Sequence, residues 1–248
     1  MGTKKLHQLA IPILIESLLF MLLGVADIFM LSNYSDWAAG AVGAANQFIG
    51  NMHLLFAIVS TGTAVLVAQN VGARRYKAVE KVASVALVLN FFLGLIIGLT
   101  MIFFGNSILE KMGVTADLMA YASQYLTIVG GALFFQAILN TVTAIIRSHG
   151  HTRQTMYITV LMNIINILGD VLLIFGLFGF PELGVKGAAI ATAFSKIIAT
   201  IIALIFMFKK ILPLKMFLSL KEKPLNELGG LIKIGFPSAM ESMCYSLS

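Results

Sequence analysis

Asp27 and Asp170 each sit inside a long apolar run, where a charged side chain needs a reason. At the centre of a membrane-spanning helix such a residue costs at least about 2.5–3.5 kcal/mol on insertion scales, so it is expected to have a partner or a task. Asn163 and Asn166 precede Asp170 at spacings of three and four, which puts all three on one face of a helix. Two carboxylates with an asparagine oxygen are hard ligands suited to Na+, and a buried carboxyl pair can equally hold a proton. The bland alternative is that the asparagines join helices by hydrogen bonds while Asp27 sits at a wet interface. Glu16 lies eleven residues before Asp27, close to three helical turns, and so shares its face. Pro12, one turn earlier, is expected to kink or loosen that helix. A bent helix with two carboxylates suits a gating element; equally, Glu16 can brace one end. Lys196 lies too deep in another apolar run to snorkel out and reads as countercharge to a carboxylate that spacing alone does not name. Asn46, Gln47, His53, Gln124, Tyr125 and the Gln136/Asn140 pair at i, i+4 read mainly as interhelical hydrogen-bonding groups.

The elements that must hold these residues are apolar blocks at 9–31, 48–67, 82–104, 118–146, 157–178 and 187–208. Each is about as long as the roughly 20 residues that cross 30 Å of hydrocarbon. With 59% hydrophobic and 11% charged residues, against about 25% charged in soluble domains, the chain reads as an all-α integral membrane protein. Lys and Arg crowd alternate connections: none at 32–46, then Arg74, Arg75, Lys77 and Lys81; only Lys111, then Arg147 and Arg153; only Lys186, then five lysines from Lys209 to Lys223. Cytoplasmic loops carry the positive excess, so the expected topology has a cytoplasmic N-terminus in a multi-pass plasma-membrane protein. That pattern accounts for the net charge of +6 without nucleic acid. The first block carries Glu16 and Asp27 and has no small-residue cleavage site, so it reads as a retained helix rather than a signal peptide. On this topology Asp27 is about 27 Å along the first helix and Asp170 about 20 Å along the fifth, at a common depth.

The basic, proline-containing stretch 209–228 reads as a linker lying near anionic headgroups, with membrane lipids as its neighbours. The segment after it repeats the beginning of the chain. AIPILIESLLFML from Ala10 aligns with GFPSAMESMCYSL from Gly235, with Pro12 and Pro237, Glu16 and Glu241, and Ser17 and Ser242 in register. The implied division is a six-helix lobe at 1–208, a linker at 209–228 and, at 229–248, the start of a parallel second lobe. A phosphate-binding loop, a G-x-S-x-G elbow and an H-E-x-x-H pair are all missing from the sequence, and the single Cys244 makes no multi-cysteine metal site. No cofactor and no enzymatic activity are expected.

Taken together, PILIESLLFMLLGVADIFM from Pro12, GTAVLVAQNVGA from Gly62, IIRSHGHTRQTM from Ile145, NIINILGDVLLIFG from Asn163, LGVKGAAIATAFS from Leu183 and KIGFPSAMES from Lys233 resemble the multidrug and toxic compound extrusion (MATE) transporters. The resemblance implies an antiporter of two six-helix lobes that exports amphipathic, often cationic compounds in exchange for Na+ or H+. It places the coupling site on Asp27, Asn166 and Asp170, with Tyr125 and Thr192 nearby; Asn163, from the polar stripe, and Lys196, from its depth in a span, are further candidate contacts read from the residues themselves. A resident metal is not implied, beyond Na+ itself. His151 departs from the family, which often has an acidic residue after the glycine of that loop. Twelve helices are usual in the family, so a second lobe, from the same chain or another copy, is expected as a partner. A lipid-linked oligosaccharide flippase would share the fold but wants a more cationic cleft, and a non-transporting scaffold would need no aligned polar stripe.

Overall fold

The structure is a computed structural model describing residues 3–221 and 225–247. Its elements are α1 (Thr3–Tyr34), α2 (Asp36–Gly72), α3 (Tyr76–Lys111), α4 (Ala116–Gly131), α5 (Leu133–Ser148), α6 (Thr152–Phe175), α7 (Val185–Lys210) and α8 (Leu225–Leu247). Short 3-10 turns cover Leu177–Gly179 and Leu214–Lys221, and no strand occurs among the described residues. α1, α2, α3, α6 and α7 are each long and apolar enough to cross a membrane, and α4 with α5 makes a sixth, bent span. The bundle is inside out relative to a soluble one. On α1, Leu14, Leu18, Met21, Leu22, Val25 and Phe29 are exposed while Glu16 and Asp27 are buried, as expected when hydrocarbon is the solvent.

Two expectations change. Residues 32–46 are not a loop: α1 ends at Tyr34, only Ser35 is extended (φ −166°, ψ 132°), and α2 begins at once. Small apolar residues here bury Ala38, Ala41, Val42 and Ala45 and so extend α2 to 37 residues. That is about 55 Å at the helical rise, more than one bilayer core. The fourth block, 118–146, is not one helix but two, bent by 45° at Ala132. The break falls after Gly130 and Gly131, which resist helix propagation and admit a close neighbour. A Cβ at Gly130 would stand 2.7 Å from Met101 Cβ, and one at Gly94 would stand 2.6 Å from Phe134 Cα. α3 therefore presses into the bend from the side.

Buried apolar side chains form two clusters. One, near the Arg- and Lys-bearing connections (the basic end), contains Val67, Val82, Ile145, Ile146 and Met207; the other, at the far end, contains Leu31, Ala41, Tyr125, Leu126 and Ile174. Between them Asn90 of α3 donates to the Thr141 hydroxyl (2.7 Å) and to Ser60 Oγ (3.3 Å), joining three helices. α1 runs continuously through Pro12, and α8 through Pro237. α8 crosses α2 where Gly62 lies against the Leu231 carbonyl and Gly235 against the Ile58 carbonyl, and Lys81 of α3 pairs with Glu227 at 3.1 Å. The side chains of Glu241 and Ser242, which complete the repeat, lie outside the described residues.

Candidate functional site

Small residues set the distance between α6 and α7, and that distance makes the site. A Cβ at Gly169 would stand 2.8 Å from Ala191 Cβ, and one at Gly187 would collide with the Leu173 carbonyl. Backbones this close let Asn166 on α6 reach Thr192 on α7. The Asn166 amide satisfies its neighbours in one orientation. Its nitrogen donates to Asp27 Oδ1 (3.0 Å), while its oxygen accepts from the Thr192 hydroxyl (3.2 Å) and backbone N–H (3.3 Å). The reverse orientation would set the amide oxygen against a carboxylate. In this arrangement it is therefore the amide nitrogen, and not the oxygen, that faces Asp27.

Asp170 lies one turn beyond Asn166, with its carboxyl group against that of Asp27. Two carboxyl groups side by side away from water repel each other when both are ionised, so the pair is built to take a shared proton or a cation. Asp27 is 3% exposed, and Asn166 and Asp170 are fully buried. Asp170 Oδ1 is buried without a hydrogen-bond partner, leaving a lone pair for a ligand. Tyr125 on α4 directs its hydroxyl at Asn46 and Thr192 from the other side.

Asp27 borders a cavity of about 490 Å³ between α1, α2, α4, α5 and α7. Met21, Leu23, Ile28 and Ile49 supply its apolar wall; Asn46, His53, Tyr125, Gln136, Thr192 and Lys196 supply polar groups. Asn166 and Asp170 stand behind Asp27, outside this lining. Lys196 faces Asp27 across the cavity, and among the described residues no carboxylate oxygen lies within 4.0 Å of its ammonium. The expected countercharge thus acts at a distance and not as a contact pair.

Three sequence candidates, Asn163, Glu16 and Pro12, lie apart from this cluster. Asn163 donates to the Leu19 carbonyl (3.1 Å) and borders an apolar groove with Leu22 and Phe29, so it ties α6 to α1 and does not touch the carboxyl pair. Glu16 is joined to Arg147 of α5 (2.9 Å) and accepts from the Thr155 hydroxyl (3.0 Å). Pro12 lies a turn away, toward the start of α1. Charge alternation alone puts Arg147 in a connection and gives Glu16 no partner. A signal is nevertheless present: Gln136, Asn140, Thr143 and Arg147 recur at four, three and four residues, a polar face on α5. Among the described residues no group of three or more His, Cys, Asp or Glu could hold a metal ion. The donor set here is two carboxyls with amide and hydroxyl groups, which suits a proton or a hard monovalent cation better than a transition metal.

A model of the MatE family matches residues 12–172, from Pro12 through the whole of the carboxyl pair. The chain belongs to the MATE family. An uncharacterised transporter of Bacillus subtilis, YisQ, is 43% identical over 99% of this chain and 54% of its own length. A probable multidrug resistance protein NorM of Thermotoga maritima is 34% identical over 98% of this chain and 52% of its own. A structure described as the outward-facing conformation of a multidrug resistance MATE transporter superposes with a TM-score of 0.87 at 26% identity, over 98% of this chain and 53% of that one. The MATE chain described here thus spans about half the length of the curated relatives it matches.

Proposed function

We propose that this chain builds the first lobe of an ion-coupled antiporter that exports amphipathic, often cationic compounds, with Asp27, Asn166 and Asp170 as the coupling site. The observation that carries the reading is the buried Asp27–Asp170 contact beside a cavity with apolar walls and few polar groups, the form of a small-molecule site. Tyr125, Thr192 and Lys196 would set the cavity's polarity, Asn163 would hold α6 to α1, and Pro12 with Glu16 would govern bending of α1. Two relatives carry names or titles that speak of multidrug resistance, which supports the same substrate class here. The division into a lobe at 1–208, a basic linker at 209–228 and the start of a second lobe at 229–248 completes the proposal, with the N-terminus and the basic end in the cytoplasm of a cell-membrane protein.

An ion changes the balance between two states only by binding one better than the other. An ion that alters the Asp27 contacts changes how α1 packs on α6 and α7, and thereby the cavity between them. Between the two coupling ions, this arrangement favours H+. Asn166 nitrogen donates to Asp27 Oδ1, and two carboxyl groups side by side suit a single shared proton; Na+ would need the Asn166 amide turned over. The test is efflux of ethidium, an amphipathic cation, from proteoliposomes containing the natural gene product that carries this chain. A proton gradient should drive efflux better than a Na+ gradient, and Asp27→Asn and Asp170→Asn should each lower it at least tenfold. Undiminished efflux in both variants would sink the reading.

A further inference from the structure

Beside the Asp27 cavity, the lobe contains a second polar one of about 300 Å³, toward the basic end. Its polar lining includes Glu16, Ser60, Asn140, Thr143, Arg147 and Thr159. The two cavities share no lining residue, yet each has one carboxylate of the same face of α1: Asp27 in one and Glu16 in the other. A single turn of α5 divides them. Gln136 lines the Asp27 cavity, Asn140 lines the Glu16 cavity, and the Gln136 amide nitrogen donates to Asn140 Oδ1 at 2.7 Å. Gln136 Oε1 is buried with no protein partner, an acceptor still open to a mobile donor. Thr143 is one turn further along the face, and its hydroxyl donates back to its own helix at the Leu139 carbonyl (2.9 Å), which leaves the oxygen's lone pairs toward the cavity side. Arg147 closes the series, 32% exposed where it meets Glu16. A polar face of this length inside an apolar bundle is expensive to insert, and its bonds within the helix, Gln136 to Asn140 and Thr143 to the backbone, leave the Gln136 oxygen unsatisfied.

We propose that this face of α5 is a passage for the coupling ion through the lobe, from Asp27 to the Glu16–Arg147 cavity at the basic end, with the Gln136–Asn140 bond as its partition. The proposal rests on the coupling-site reading above and adds a route that is separate from the substrate's. The partition offers oxygens from Gln136, Asn140 and Thr143, which can accept and pass on a proton carried by water, whereas a drug-sized molecule cannot pass between two hydrogen-bonded side chains. At the exit Glu16 has one oxygen on Arg147 and the other on Thr155, so the ion meets a carboxylate already braced between helices.

The test uses the natural gene product in proteoliposomes, with equilibrium ethidium binding and gradient-driven ethidium efflux measured side by side. Asn140→Leu, near in volume but without an acceptor, should lower efflux at least tenfold with ethidium affinity within twofold of the parent. Asn140→Asp, which keeps the accepting oxygen, should retain at least half the efflux. Parental efflux in Asn140→Leu, with Asp27→Asn still inactive, overturns the passage and leaves the coupling site standing. Parental efflux in Asp27→Asn instead removes the coupling site and the passage with it. If Asn140→Leu does not fold, Thr143→Val asks the same question, and parental efflux there likewise overturns the passage.

Discussion

Removing Arg147 should damage the protein more than removing Arg147 and the Glu16 charge together. Glu16 is 4% exposed and holds Arg147 on one oxygen and Thr155 on the other. Deleting one partner of a buried ion pair strands the other charge, at about 3–5 kcal/mol when burial is complete. Arg147 is 32% exposed, so water shares the load and about 1–3 kcal/mol is the better expectation. Thermal unfolding in detergent should therefore rank the parent first, Arg147→Ala last, and the double variant Glu16→Gln/Arg147→Ala between them. A double variant no more stable than Arg147→Ala would show that the stranded charge is not what hurts. Spacing along one helix is enough to put Glu16 on the face of Asp27. It is not enough to find Arg147, because that pairing joins residues 131 positions apart.

At the scale of elements, the site depends on how closely α6 and α7 approach, and two glycines hold that distance. Gly187→Leu should force the helices apart, because a Cβ there runs into the Leu173 backbone, which cannot give way as a flexible side chain can. A fall of about 2–3 kcal/mol in unfolding free energy is expected, and the hydrogen bond between Asn166 and Thr192 should break. The check is a cycle against Thr192→Val: once α7 is displaced, that second change should add less than a few tenths of a kcal/mol, whereas in the parent it should be felt. Full additivity would mean that the helices stay in place. The bend between α4 and α5 belongs to the same scale. Twenty-nine residues at 118–146 read as one span, but Gly130 and Gly131 sit where α3 presses in, and hydropathy carries no record of which neighbour arrives.

For the molecule as a whole, α8 is held on α2 mainly by backbone approach rather than by charge. Gly62 and Gly235 each admit a carbonyl of the facing helix, whereas the Lys81–Glu227 pair is about one-fifth exposed at both ends. Partly exposed pairs contribute about 0–1 kcal/mol. Hydrogen exchange along residues 225–235 should thus accelerate strongly in Gly235→Val and change little in Lys81→Met. Equal protection in both would place the docking energy elsewhere. On the proposed division α8 restates α1, and this crossing is where one lobe meets the start of the next.

Whatever depends on local pattern is legible along the chain. Apolar length gives six spans, alternation of Lys and Arg gives an expected sidedness, and spacings of three and four put Asn163, Asn166 and Asp170 on one face of one helix. Counting residues places Asp27 at their depth. Which face of each helix meets which neighbour is a property of the folded bundle alone. Packing sends Asn163 to the Leu19 carbonyl, Asn166 and Asp170 to Asp27, and Arg147 to Glu16, and it sets Lys196 across a cavity from Asp27. The reason is physical. Depth in a bilayer follows from position along a helix, but rotation about its axis follows from packing, and packing is settled by close approaches such as Gly169 to Ala191 that no single helix encodes.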